Sequence, residues 1–181
     1  MTTALWLFAL QGTFGAFDTL YFHEWKARLP ARGRQARPEL DLHAARDFVY
    51  AVLFAALPRF AWLGLWAWLL FALVAAEIAI TLRDFVVEDR VRAPQGGVFP
   101  GERVTHALMA IIYGAALAHL LPEVWRWTAQ PTGLGAPDPD VPAALRTLLS
   151  CMAAGVFVSG VRDVAATRIA AARWPWPAEA R

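Results

Sequence analysis

The sequence predicts an all-α integral membrane protein, and three features of its composition support that class. Hydrophobic residues make up 58% of the 181-residue chain and charged residues only 18%, whereas soluble proteins carry about a quarter of charged residues. The mean hydropathy is +0.40. Nine tryptophans are present, and tryptophan favours the interface between membrane and water. Together these values favour a membrane protein over a soluble domain.

Five apolar runs are long enough to cross a bilayer, which takes about 20 helical residues. They cover residues 4–22, 40–57, 60–85, 102–121 and 143–161. Short segments rich in proline, glycine or charge separate them. We therefore expect five transmembrane helices in a single polytopic domain, with the first four forming an antiparallel bundle.

Proline and charged residues mark the ends of these runs. Residues 38–41 hold a proline and two acids, which is typical of a helix start. Residues 58–59 leave only a two-residue break before the third run, and this favours a tight helical hairpin. Pro122 ends the fourth run. The fifth run is expected to continue as a surface helix through Ala172.

Lysine and arginine alternate between the two sides of the predicted helices. Five follow the first run, four follow the third and four follow the fifth, while the other two loops hold one each. Cytoplasmic loops collect positive residues, so we predict a multi-pass inner (plasma) membrane protein with its N-terminus outside and its C-terminus inside. Membrane orientation also explains the net charge of +2 better than nucleic-acid binding does, and lipids are the expected surroundings.

The acids and histidines within the runs gather in the cytoplasmic half. An aspartate inside a membrane helix costs about 2.5–3.5 kcal/mol on insertion scales, so these side chains need partners. Spacings of four or seven residues place them on shared helix faces. The aligned pairs are His43 with Asp47, Glu77 with Asp84, and Glu102 with His106.

This pattern predicts a metal centre. Carboxylates with a few imidazoles suit iron or manganese, and an ion would offset the cost of burying acids. The chain has one cysteine, Cys151, so a cysteine zinc site is not expected. The first-choice ligands are Asp18, His43, Asp47, Glu77, Asp84, Glu102 and His106. Second choices are His23, Glu24 and Glu88, and Tyr50 and Tyr113 continue the same helix faces as neighbours of the ions.

The function that this ligand set predicts is a di-iron or di-manganese oxidoreductase. Its substrate would be lipidic or quinone-like and would arrive from the cytoplasmic leaflet, with electrons from a separate donor. Ferritin-like bundles draw a comparable inventory of carboxylates and histidines from four helices. The spacing here is four residues rather than three, so the likeness is limited to the kinds of ligand.

Three other interpretations stay open. The chain could be an accessory or assembly subunit of a larger membrane complex, in which the acids act as locks between helices and Arg46 pairs with Asp47 or Asp84. It could be a proton-coupled carrier that uses the acids as a relay. A haem b between His106 and either His43 or His23 is the third alternative, whereas nothing on the outer side of the predicted bundle could partner His119.

Overall fold

The computed structural model describes residues 1–169, and most of that length is helical. The predicted surface helix through Ala172 lies partly outside these residues. The α-helices are α1 (Thr2–Phe17), α2 (Leu29–Arg32), α3 (Arg37–Ala56), α4 (Leu65–Arg92), α5 (Pro100–Thr128) and α6 (Ala143–Arg168). A π-helical segment, Asp18–Lys26, continues α1, and a 3-10 turn, Ala93–Gln95, follows α4.

Three of the helices have the length and hydropathy of membrane spans. They are Leu65–Gln95, Pro100–Thr128 and Ala143–Arg168. The first predicted run is divided between a 16-residue α-helix and the π-helical segment. Helix α3, which holds most of the second run, carries five charged residues within residues 37–47, which lowers its hydropathy. The helical class and the membrane character are thus supported, while the count of five spans stays a prediction.

The long helices pack around a shared apolar core, and α6 is part of it. Helix α3 packs most extensively on α6 and also on α4, while α1 packs on α5. The α1–α6 and α4–α5 contacts are the looser ones among these neighbours. Phe8, Leu53, Leu70, Leu120 and Leu149 are fully buried at the centre. Helix α6, which contains the fifth predicted run, therefore packs on α1 and α3. Helix α5, which contains the fourth run, packs on α1 and α4.

A small β-sheet closes the end of the molecule where α4 begins. Strand β1 (Ala61–Leu63) pairs antiparallel with β2 (Gly133–Gly135), with Trp62 opposite Leu134. The expected two-residue break is therefore wrong, because residues 57–64 separate α3 from α4. The fold is also not purely helical. A three-residue strand is too short to show an alternating pattern in sequence.

Pro122 does not end its helix. Helix α5 continues through this proline to Thr128. A proline inside a helix removes one backbone hydrogen bond and crowds the preceding turn, but transmembrane helices tolerate it where neighbours satisfy the freed groups. Trp125 and Trp127, which follow Pro122, are therefore helical residues.

Gly64 is the residue that allows the sheet to join α4. Its φ is +60°, and an added Cβ would lie 2.6 Å from the Thr132 Cα. Its N–H donates to the Trp127 carbonyl at 2.9 Å. Only glycine satisfies both the left-handed backbone and this close approach.

We expect Gly64→Ala to destabilise the protein by at least 1–3 kcal/mol, the usual cost of such backbone strain. A melting curve of the detergent-purified protein should shift by roughly 2–4 °C for each kcal/mol. Gly133→Ala is the matched control, since its added Cβ would meet no atom within 4 Å among the described residues. Equal melting temperatures for the two variants would contradict this role of Gly64.

Candidate metal centre

The π-helical segment determines which side chains leave the first helix together. Asp18 and His23 are five residues apart, which is about 140° around an α-helix with 3.6 residues per turn. A π-helix has i to i+5 hydrogen bonds, so residues five apart come close to the same face. Both side chains are buried, and the His23 Nε2 lies 3.2 Å from the Asp18 Oδ2.

Helix α5 brings two more polar side chains to this point. The Glu102 Oε1 lies 3.2 Å from the His23 Nε2. The His106 Nε2 lies 3.2 Å from the Asp18 Oδ2. Glu102 has no exposed surface and His106 is nearly buried. Asp18, His23 and His106 each offer one ligand atom, and these atoms all lie within 4.8 Å of one another.

The orientation of the His23 and His43 rings favours an ion over simple hydrogen bonding, whereas the His106 Nε2 is hydrogen-bonded to the Asp18 Oδ2. The Nε2 atoms of His23 and His43 make no hydrogen bond within residues 1–169, although carboxylate oxygens lie 3.1–3.2 Å away. Their ring N–H directions therefore pass beside these oxygens. Two ligands at right angles around an ion with bonds of about 2.1 Å lie about 3.0 Å apart, close to the observed spacing. We refer to Asp18, His23, Glu102 and His106 as the metal cluster.

Glu88 lies on the other side of the His106 ring. Its Oε1 is 3.7 Å from the His106 Nδ1, and its second oxygen lacks a hydrogen-bond partner among the described residues. Glu88, Glu102 and His106 also have ligand atoms within 4.8 Å of one another. Both groups of three ligands include His106, and a neutral imidazole binds one ion. The geometry therefore favours a single ion at this ring.

His43 belongs to a second group beside the metal cluster. Its ring stacks on that of His23 with centroids 4.5 Å apart and 8° between the planes. Its Nε2 lies 3.1 Å from the Asp84 Oδ2. Arg46 donates to the same Asp84 oxygen at 3.1 Å. This contact is one of the two pairings proposed for Arg46 as a lock between helices. Asp84, a predicted metal ligand, is therefore already paired with a cation.

A buried arginine, Arg92, contacts the metal cluster through Glu102. Arg92 has no exposed surface, and neither have the two glutamates that it bridges. Its Nη2 lies 2.8 Å from the Glu39 Oε1 and 3.1 Å from the Glu102 Oε1. Arg92 therefore ties α4 to the first turns of α3 and α5. Glu102 faces both this cation and His23, so it joins the lock to the metal cluster.

Glu77 is buried, as the sequence predicted, but its neighbours are hydroxyl groups. Thr81 donates to its Oε1 at 2.9 Å. Tyr50 and Tyr113 face its carboxylate, and its Oε2 has no hydrogen bond within the described residues. Seven residues separate it from Asp84, or about 10 Å along the helix. The burial cost of Glu77 also predicts Asp18, His43, Asp47 or His106 within direct or metal-bridged reach. Its direct contacts among residues 1–169 are instead Thr81, Tyr50 and Tyr113, and a metal-bridged contact stays a prediction.

Two other predicted residues lie beside the cluster. Asp47 is half-buried on the face of α3 that packs on Gly160 of α6, and its carboxylate is not one of the ligand atoms that converge within residues 1–169. Glu24, a second choice, pairs with Arg162. Both are thus at the α6 side, while the metal cluster is on the α5 side.

Two functional positions were not among the predicted candidates. Glu39 is four residues before His43 and therefore shares its helix face, a spacing that could have identified it in the sequence. Arg92 is four residues after Glu88 and continues the polar stripe of α4. It was instead counted as a loop residue. His23 and Glu88, second choices in the sequence, lie at the centre of the site.

Comparisons of this chain with protein-family models, with curated proteins and with solved structures found no match. The chemistry proposed for the site therefore rests on its geometry.

Proposed function

We propose that this protein is a membrane-embedded, metal-dependent oxidoreductase that acts on a lipidic or quinone-like substrate. One observation carries the proposal. Buried imidazoles and carboxylates from the first helix and α5 converge at 3.2 Å, and the His23 Nε2 among them makes no hydrogen bond within residues 1–169. Unpaired buried groups of this kind are costly, and a cation that binds them turns the cost into binding energy.

Iron or manganese is the metal that fits these ligands. The metal cluster offers two imidazoles and two carboxylates, a mixed set that suits these ions. Zinc fits less well, because structural zinc sites favour closed tetrahedral sets, often with cysteine. Haem b is a weaker candidate, since His23 and His43 are stacked on each other and the cavity beside them measures about 10 Å³.

The residues of the cluster have separate tasks in this proposal. Asp18, His23, Glu102 and His106 would hold the ion, and Glu88 would orient the His106 ring. A redox-active ion in such a site supplies one-electron chemistry that protein side chains do not provide. The surrounding helices exclude water from the ligands, and buried hydrogen-bond partners of ligands tune metal affinity.

Elemental analysis of the detergent-purified protein tests the proposal. After anaerobic loading with Fe²⁺ and removal of excess ion, we expect about one iron per chain at the metal cluster. A second ion would have to use His43 and Asp84, and would compete with Arg46. Retention of well under one ion per chain after loading, with manganese giving the same result, would contradict the proposal.

A non-catalytic accessory subunit is the second candidate, and the buried arginines favour it. Arg92 bridges two glutamates and Arg46 binds Asp84, so both act as locks between helices. This role predicts a stable protein without metal that copurifies with other membrane subunits. A proton-coupled carrier is the third candidate, and proton-dependent flux in liposomes would distinguish it from both.

We further propose that all five long helices cross the membrane, with the N-terminus outside and the C-terminus in the cytoplasm. Alternation of basic residues supports this orientation. A reporter fused after Arg181 should read cytoplasmic, and one inserted after Pro137, beyond strand β2, should read external. The reverse pattern would place the metal cluster in the outer leaflet and overturn access from the cytoplasmic side.

A further inference from the structure

A cleft opens between α1 and α6, one of the looser helix pairs, and it leads to the metal cluster. Its volume is about 290 Å³, close to the lower limit of small-molecule pockets. We call it the α1–α6 cleft; its lining includes Gln11, Asp18, Tyr50, Met152, Gly155 and Ser159. Asp18 is also a member of the metal cluster, so the cleft adjoins the proposed ion site.

The cleft combines apolar walls with a buried polar group that lacks a partner. Phe54, Met109, Met152 and Val156 contribute to its lining. Gln11 is only 5% exposed, and its Oε1 accepts no hydrogen bond within the described part of the chain. The Gln11 Nε2 reaches the Tyr50 hydroxyl only at 3.5 Å. A buried amide in this state lacks a polar partner that a ligand can supply.

The charges around the cleft exclude an anionic head group. Asp18 and Asp47 line it, and Arg46, the one basic residue that residues 1–169 contribute to its lining, is bound to Asp84. A carboxylate or phosphate in this position would meet two acids and a cation that is already paired. The head of the ligand is therefore not an anion.

From this lining we infer that the α1–α6 cleft binds the uncharged ring of a long-chain quinone or quinol. The inference rests on the proposed function, because it assigns the substrate of the same site. A glutamine amide serves both redox forms, since its N–H group donates to a quinone carbonyl and its oxygen accepts from a quinol hydroxyl. Methionine and aromatic side chains make favourable contacts with a flat ring. The small volume holds the ring end, and the chain extends along α1 into the lipid.

Gly155 provides a direct test, because a Cβ added there would meet no atom within 4 Å among the described residues. Leucine at this position adds a branched apolar side chain to the lining of the cleft. Gly114 is the matched control. It has equally open space and lines a second cleft of about 210 Å³ between α4 and α5, which shares Gln11, Asp18 and Tyr50 with the first. Gly155 lines only the α1–α6 cleft and Gly114 only the second, so the two variants place the same side chain on different sides of these shared residues.

The experiment measures equilibrium binding of a decyl-substituted benzoquinone, and anaerobically of its quinol, to the full chain in nanodiscs. Gly155→Leu should weaken binding at least tenfold, Gln11→Leu about fivefold to tenfold, and Gly114→Leu less than twofold. Dodecanoate and dodecanol should bind at least tenfold more weakly than either ring. Unchanged binding in Gly155→Leu, loss only in Gly114→Leu, or equally tight binding of dodecanol or dodecanoate would overturn the inference.

Iron content is measured on the same samples, which separates this inference from the proposed function. Gly155→Leu should retain its iron while losing the quinone. Quinone binding by a protein that takes up no iron would contradict the metal proposal and leave the cleft assignment in place. Full iron without quinone binding would contradict only the cleft assignment.

Discussion

Replacing His106 with alanine is expected to abolish metal retention by the purified protein. His106 is the α5 imidazole of the metal cluster, and its Nε2 lies 3.2 Å from the Asp18 Oδ2. Loss of residues that only orient metal ligands already costs 10–100-fold in affinity, so loss of a ligand should cost at least about 100-fold. We expect iron in His106→Ala to fall to the background of the buffer, as measured by elemental analysis.

His119→Ala is the control on the same helix. His119 is exposed and lies 13 residues further along α5, so its loss should leave the iron content unchanged. His43→Ala gives a further distinction, because His43 pairs with Asp84 beside the cluster rather than in it. It should retain the ion of the metal cluster. Full iron retention in a His43→Ala, His106→Ala double variant would refute this assignment of the ligands.

Much of the site could be predicted from the sequence because α-helical spacing is reliable over long runs. The four-residue step from Glu102 to His106 and the seven-residue step from Glu77 to Asp84 place polar groups on buried faces, and four of these residues are buried or nearly so. The cost of burying acids also predicted that Glu77 would face away from lipid. These conclusions depend only on periodicity and solvation.

The pairing of side chains could not be predicted, because it depends on local departures from the α-helix. At 100° per residue, His23 lies far around the helix from Asp18, and it was ranked below Asp47. In the π-helical segment Asp18 and His23 lie close to the same face, so His23 rather than Asp47 lies next to Asp18. No residue pattern in this stretch signals a change in helical pitch, so the most central histidine was only a second choice.

The same limit applies to charge. Arg92 contributed to the count of cytoplasmic positive residues, and that use is compatible with its place at the end of α4. Whether an arginine at a helix end is exposed or buried depends on the neighbouring helices. Here Glu39 and Glu102 come from two other helices, and a helix pattern cannot show a contact between elements far apart in sequence.

Arg92→Ala is expected to cause a larger loss of stability than Gly64→Ala or any of the cleft substitutions. Removing one partner of a buried ion pair costs about 3–5 kcal/mol, because the remaining charge stays buried without compensation. In this case two carboxylates, Glu39 and Glu102, lose their shared cation. The melting temperature of the detergent-purified protein should fall by roughly 10 °C on the scale of 2–4 °C per kcal/mol.

Arg103→Ala is the matched control for the loss of an arginine. Arg103 is 63% exposed and approaches Asp89, which is 73% exposed, at 3.9 Å. Exposed pairs of this kind contribute about 0–1 kcal/mol, so its melting temperature should stay close to that of the wild type. Similar melting temperatures for Arg92→Ala and Arg103→Ala would contradict the buried lock.

A double variant separates the lock from a general packing defect at Arg92. Arg92→Met keeps an apolar side chain of similar length, and Glu39→Gln removes the carboxylate that Arg92 contacts most closely. Replacing both partners of a buried pair is often nearly neutral, so Arg92→Met with Glu39→Gln should be more stable than Arg92→Met alone.

In this double variant Glu102 has no arginine partner, and the metal ion becomes the remaining cation that can bind it. Iron loading should therefore raise the melting temperature of the double variant more than that of the wild type, and an equal shift in both proteins would show that Glu102 does not bind the ion.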